Sequence, residues 1–329
     1  TFGYTMIVAE SALGRMTRKS PVGAFRSFAK GKKVGWLSFG GWINAIIPVL
    51  IVPYYSVIGG WVVKYLFEYI RGNGSKLAED GYFSGFISNG GATEICFVIF
   101  CMFTLVIIYA GVQNGIERVS KIMMPILIVL SVIIAIYSVT RPGAIEGVKY
   151  FLVPNVKNFS WMTVVAAMGQ MFYSLSIAMG ILVTFGSYMR KDTSIEDSTR
   201  NVEIFDTAIA MMAGLMIIPA VFAFSGGDPD TLQAGPSLMF ITIPKVFANM
   251  GFGTAVGILF FVLVLFAAVT SSIALTESAV STFEDELGWG RKKATVLTGV
   301  IMIALGTLSC LGYGPLDFVK IIGMQFLDF

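Results

Sequence analysis

The sequence predicts an all-α polytopic membrane protein, and three observations carry that expectation. Hydrophobic residues fill 56% of the 329 positions and charged residues only 13%, against the roughly 25% charged residues of an average soluble domain. The mean hydropathy is +0.79. Seven uncharged runs each reach the roughly 18 residues that a transmembrane helix needs: Val34 to Val63, Ile95 to Ile116, Ile122 to Thr140, Asn158 to Met189, Thr207 to Gly227, Val246 to Thr276 and Ala294 to Leu316.

Taken in chain order, Thr1 to Gly14 is apolar but too short to span. It lacks the charged leader and small-residue cleavage site of a signal peptide, and reads as the second half of a helix whose beginning is missing. The spans are joined by short turn and cap signals, "RGNGSK" at 71 to 76, "GVQNG" at 111 to 115 and "SGGDPD" at 225 to 230. They imply one helical bundle over 1–329, a single transmembrane domain without a soluble partner. "PSLMFITIPKVFANM", 236 to 250, is amphipathic and interrupted by Pro244. It reads as an extracellular re-entrant or hairpin element, within 230–250, that caps the bundle. "GFGTAVG" at 251 to 257 has no strand before it, so it opens a helix and is not a phosphate loop. Ile321 to Phe329 reads as the start of a helix cut off, so the chain is expected to be a fragment of a longer protein.

If the loop from Arg15 to Lys33 faces the cytoplasm, inside loops carry roughly twice the Lys and Arg of outside loops, which sets the orientation. "RKSPVGAFRSFAKGKK" is the one stretch that resembles a nucleic-acid surface, and in so apolar a chain a membrane-facing loop is the better account. The net charge of +3 adds nothing to this. Cys96, Cys101 and Cys310 lie in apolar stretches, as small buried hydrophobes do. The absence of histidine removes triads, HExxH zinc sites and imidazole relays, and with them the usual hydrolytic chemistry. No enzyme activity and no organic cofactor are expected.

Three stretches depart from the apolar background. "GQMFYSLSIAMG", 169 to 180, is either a plain helix whose Ser174 and Ser176 bond back to carbonyls one turn earlier, or two half-helices meeting in mid-membrane. Unwound backbone at that depth persists only where it lines a cavity. Asp206 is either an intramembrane carboxylate on an ion path or a helix-start residue near the cytoplasmic surface. In "AAVTSSIAL", 267 to 275, Thr270 and Ser271 either offer hard oxygens to an alkali cation or bond their own helix. Glu277, at the end of that run, belongs to a cytoplasmic ion exit or snorkels to the interface.

Together these stretches resemble one family, the neurotransmitter:sodium symporters, in its bacterial amino-acid-transporter branch. The carrying residues are "ESALGR" at 10 to 15, "VPYYSVIGGW" at 52 to 61, "NGIERVSKIMMP" at 114 to 125, "GQMFYSLSIAMG", "GSYMRKD" at 186 to 192, "TSSIAL" at 270 to 275 and "FEDELG" at 283 to 288. The resemblance implies the inverted-repeat, broken-helix (LeuT-type) transporter fold, running from the second to the tenth transmembrane helix, in a plasma membrane, by its branch a bacterial inner membrane. It also implies that the missing first helix carries half of the site.

Residue by residue, the resemblance makes Tyr55 the hydroxyl that binds a substrate carboxylate and favours the broken reading of 169 to 180. Ser174 and Asp206 stand where the first sodium ion is held, and the Ala267 carbonyl with the Thr270 and Ser271 hydroxyls where the second is held. The substrate side chain would lie among Ile51, Tyr173, Ser176, Met179 and Leu275, with Tyr173 as an aromatic lid and Gln170 near its hydroxyl. Met179 suggests a medium to large apolar side chain. Asp206 implies a built-in anion in place of chloride. At the cytoplasmic gate Asp285 resembles the acidic partner of an arginine ahead of the first helix, supported by Ser187 and Tyr188. Asp317 and Asp328 precede the expected extracellular gate acid and are not taken for it.

The activity so implied is sodium-coupled import of amino acids by alternating access, independent of chloride, with Na+ and a small molecule as partners. A sodium-dependent amino-acid sensor on the same scaffold is the alternative. A channel is disfavoured because no ring of filter ligands repeats.

Overall fold

The structure is a computed structural model that describes residues 2–29, 36–156, 159–227, 235–316 and 318. Asp317 and Asp328 lie outside the described residues. Among the described residues all regular structure is helical: α1 (Phe2–Thr17), α2 (Pro21–Ala29), α3 (Leu37–Ile70), α4 (Gly74–Leu77), α5 (Tyr82–Ser88), α6 (Gly90–Tyr109), α7 (Arg118–Val139), α8 (Ala144–Leu152), α9 (Trp161–Ser174), α10 (Ile181–Tyr188), α11 (Ile195–Ser225), α12 (Ile243–Ala248), α13 (Gly253–Leu287) and α14 (Arg291–Leu311). Wide π turns lead into α7 at Val112–Glu117 and into α12 at Leu238–Thr242.

Among the described residues six helices are long and apolar enough to cross a membrane. The seventh expected span, Asn158 to Met189, is divided between α9 and α10, each too short to cross alone. Helix ends also shift from the uncharged runs, for identifiable reasons. α3 continues past Val63 because Lys64 and Glu68, one turn apart, pair at 2.6 Å. α11 starts at Ile195, capped by the Ser194 hydroxyl with Glu196 and Asp197 in its first turn.

Two long helices, α3 and α13, pack along each other at the centre. Toward the C-terminal end of α3 and the N-terminal end of α13, Trp61, Tyr65, Phe83, Phe240 and Phe261 form a knot of rings. Phe83 stacks on Phe240 at 5.3 Å, and the Tyr65 hydroxyl donates to the Phe240 carbonyl at 2.8 Å. Lipid tails are as apolar as these side chains, so ring geometry and dispersion hold the helices together, with little help from a hydrophobic driving force.

Pro244 was expected to interrupt the extracellular element, and it does not. It sits where the wide π turn Leu238–Thr242 passes into α12, and the change of helix type there accommodates the missing N–H. The element runs unbroken from Leu238 to Ala248. Lys245 ties it to Asp80 at 2.5 Å and, by that hydrogen bond and its charge, holds the Asp80 carboxyl below its ordinary range.

α1 and α10 touch backbone to backbone. A Cβ at Gly14 would fall 1.9 Å from the Val183 carbonyl oxygen, and one at Gly186 would fall 2.5 Å from that of Ser11. This contact fixes the second half of the divided span against α1.

Candidate functional site

Between α9 and α10 the chain leaves helical geometry at Leu175 and re-enters at Ile181. The Ile177 N–H reaches back five residues to the Phe172 carbonyl at 2.9 Å. Ser176, Ala178 and Gly180 then adopt φ of 57°, 62° and 71°, a left-handed conformation costly for residues with a Cβ and maintained only where surroundings impose it. The helical partner of the Ser174 carbonyl would be the Ala178 N–H, which donates instead to Glu10 Oε1 of α1 at 2.8 Å. A bond of this kind to a charged group contributes about 1.5–3 kcal/mol. Glu10 thus sustains the break, and the sequence reading gave it no role. Its signal was present, an acidic side chain on an otherwise apolar helix.

Facing the break is a cavity of about 460 Å³, lined by Ile51 and Tyr55 of α3, Gln170, Tyr173 and Ser174 of α9, Ser176, Met179 and Ile181 of the break and α10, Asp206 of α11, and Thr270, Ser271, Ala274 and Leu275 of α13. Ile181 and Ala274 had not been singled out. Ala267 is not among the lining residues; its carbonyl accepts the Thr270 hydroxyl at 3.0 Å.

Asp206 lies about three turns inside α11, so it is no helix-start residue. Its Oδ1 accepts the Ser174 hydroxyl at 2.5 Å, joining α9 to α11. Thr270 also donates to the Phe266 carbonyl at 3.1 Å, which is the bond to its own helix weighed above. Such a hydroxyl keeps its acceptor lone pairs. The cavity therefore presents one carboxylate and several neutral oxygens, a hard donor set suited to an alkali cation.

The remaining expected residues sit apart from the cavity, toward the C-terminal ends of α10 and α13. Asp285 Oδ2 accepts the Ser20 N–H at 2.5 Å, and the Ser187 carbonyl accepts Arg18 Nη1 at 2.8 Å. Tyr188 donates to Glu277 Oε1 at 2.7 Å. Glu277 has no exposed surface and is gripped by the two terminal guanidinium nitrogens of Arg291, at 2.9 and 2.6 Å. The snorkelling reading is corrected: an arginine at the start of α14 reaches this carboxylate inside the protein. Arg291, also missed in the sequence, offered as its signal a lone "RKK" at a helix start.

The sodium:neurotransmitter symporter family model matches residues 82–324. The chain belongs to this family. It is 35% identical to the sodium-dependent transporter YhdH of Bacillus subtilis (strain 168), over 99% of this chain and 71% of that protein. It is 32% identical to a sodium-dependent transporter of Haemophilus influenzae (strain ATCC 51907 / DSM 11121 / KW20 / Rd), over 99% and 73%. The crystal structure of MhsT in complex with L-phenylalanine superposes with a TM-score of 0.85 at 38% identity, covering 99% of this chain and 74% of that one. As a member of the symporter family the chain is a sodium-dependent, multi-pass membrane transporter and not an enzyme, with the broken-helix transporter fold.

Proposed function

We propose that this symporter imports amino acids with medium to large apolar side chains, driven by sodium through alternating access and without chloride. The observation that carries the reading is the position of the break: unwound backbone, the Asp206 carboxylate and the Tyr55, Thr270 and Ser271 hydroxyls line a single cavity. Similarity to MhsT, solved with L-phenylalanine, supports an amino acid as the occupant.

In this reading Ser174 and Asp206 hold the first sodium ion, and the Ala267 carbonyl with Thr270 and Ser271 holds the second. The Tyr55 hydroxyl donates to the substrate carboxylate. The side chain lies against Ile51, Ser176, Met179 and Leu275, with Tyr173 and Gln170 closing from the extracellular side and the Ser187, Tyr188 and Asp285 contacts opening toward the cytoplasm. Ion and substrate share the cavity, so each favours the other's occlusion, and the sodium gradient drives uptake. No observation favours the sensor over the carrier.

Removing the Tyr55 hydroxyl tests the substrate pose. Tyr55→Phe leaves a buried carboxylate without its donor, a loss of about 1.5–3 kcal/mol, or roughly tenfold to a hundredfold in affinity. Equilibrium binding of labelled L-phenylalanine in sodium, with potassium as control, measures it. Wild-type affinity in the variant contradicts the assignment.

A further inference from the structure

We propose that the outward groove between α6 and α14 holds an anionic phospholipid of the cytoplasmic leaflet. Two adjoining cavities, of about 350 and 460 Å³, share Tyr109, Val296 and Val300. The deeper one is apolar, reaching Val106 and Ile303, and it exists partly because position 299 is glycine. A Cβ there would come within 2.9 Å of Leu105. Val106, Val296 and Val300 are each 60% or more exposed, so the groove faces the bilayer.

Its shallow end differs in chemistry. Trp289, Lys292 and Lys293 close it, and the Lys292 ammonium lies 5.5 Å over the Tyr109 ring. Arg291 is taken up by Glu277, whereas neither lysine forms an ion pair with any described residue. The basic loops set this end at the cytoplasmic surface, where tryptophan and lysine anchor. From Lys293 to Ile303 the helix rises about 15 Å, half of a hydrocarbon core of about 30 Å. The groove is therefore as long as one leaflet, greasy along its length and doubly cationic at the headgroup level. That charge pattern complements an acyl chain beneath an anionic headgroup.

Full-length protein in nanodiscs, with a photoactivatable acyl chain on phosphatidylglycerol or on phosphatidylcholine, tests this by mapping the labelled peptides. The phosphatidylglycerol probe is expected to label the α6 and α14 groove at least about fivefold more than phosphatidylcholine. Lys292→Gln/Lys293→Gln should remove that preference. Val300→Trp should reduce labelling by both probes, while both variants keep sodium-dependent substrate binding, which shows that they fold. Equal labelling by the two probes, or a preference indifferent to the lysines, overturns the proposal. So does a groove inaccessible to either probe because a second copy or another segment of the protein covers it.

Discussion

Asp206→Asn is expected to lose sodium-driven uptake by about a hundredfold in chloride-free medium and to regain part of it when chloride is added. A carboxylate and a monovalent cation about 4 Å apart attract by about 4 kcal/mol at an effective dielectric of 20. Side-chain and solvent relaxation take back part of that, which leaves about two factors of ten. Asparagine keeps the acceptor for the Ser174 hydroxyl at the Oδ1 position and removes only the charge, so the change isolates the electrostatic contribution. Chloride supplied to the variant replaces the missing anion. Uptake initial rates across sodium concentrations, with gluconate or chloride as the anion, provide the measurement. A variant identical to wild type, or a wild type that itself requires chloride, contradicts the role given to Asp206.

The second large effect lies at Glu277 and Arg291. Removing the guanidinium with Arg291→Ala strands a carboxylate that has no exposed surface, and breaking a buried pair from one side costs about 3–5 kcal/mol. Glu277→Gln should cost less, since the amide still accepts from Tyr188 and from one guanidinium nitrogen. The double variant Glu277→Gln/Arg291→Ala should recover part of the loss of Arg291→Ala, because no unpaired buried charge remains. Thermal unfolding of the four proteins in detergent closes the comparison. Additive losses would show that the two side chains do not act as a pair.

Much of the fold was legible because a bilayer demands long uncharged runs, and six of the seven predicted spans are continuous helices. Span ends were less legible, since they depend on local pairs within charged sequence: Lys64 with Glu68, and the Ser194 cap of α11. The break in α9 and α10 was not decidable from "GQMFYSLSIAMG" itself. Serine and glycine there suit a bent helix equally well, and the residue that diverts the Ala178 N–H is Glu10, 168 positions away. Only the family resemblance pointed to the right alternative. Glu277 could not be decided between ion exit and snorkelling for the same reason. Its partner belongs to the next helix, and a carboxylate at the end of an apolar run carries no mark that an arginine will cover it. Of the cavity-lining residues, Ser174, Ser176, Asp206, Thr270 and Ser271 stood out as polar groups in apolar runs, and the others were placed by resemblance; Ile181 and Ala274, bare aliphatic positions, had no distinguishing feature.

The decisive quantity is the amino-acid flux that a sodium gradient drives through this cavity. Full-length protein in liposomes, loaded with potassium and diluted into sodium, measures it directly with a labelled amino-acid mixture. Accumulation above the external concentration is expected, abolished when sodium is equal on both sides and competed away by Leu, Ile, Met, Trp or Tyr. Sodium-dependent binding with no accumulation, or accumulation indifferent to the gradient, would contradict that expectation.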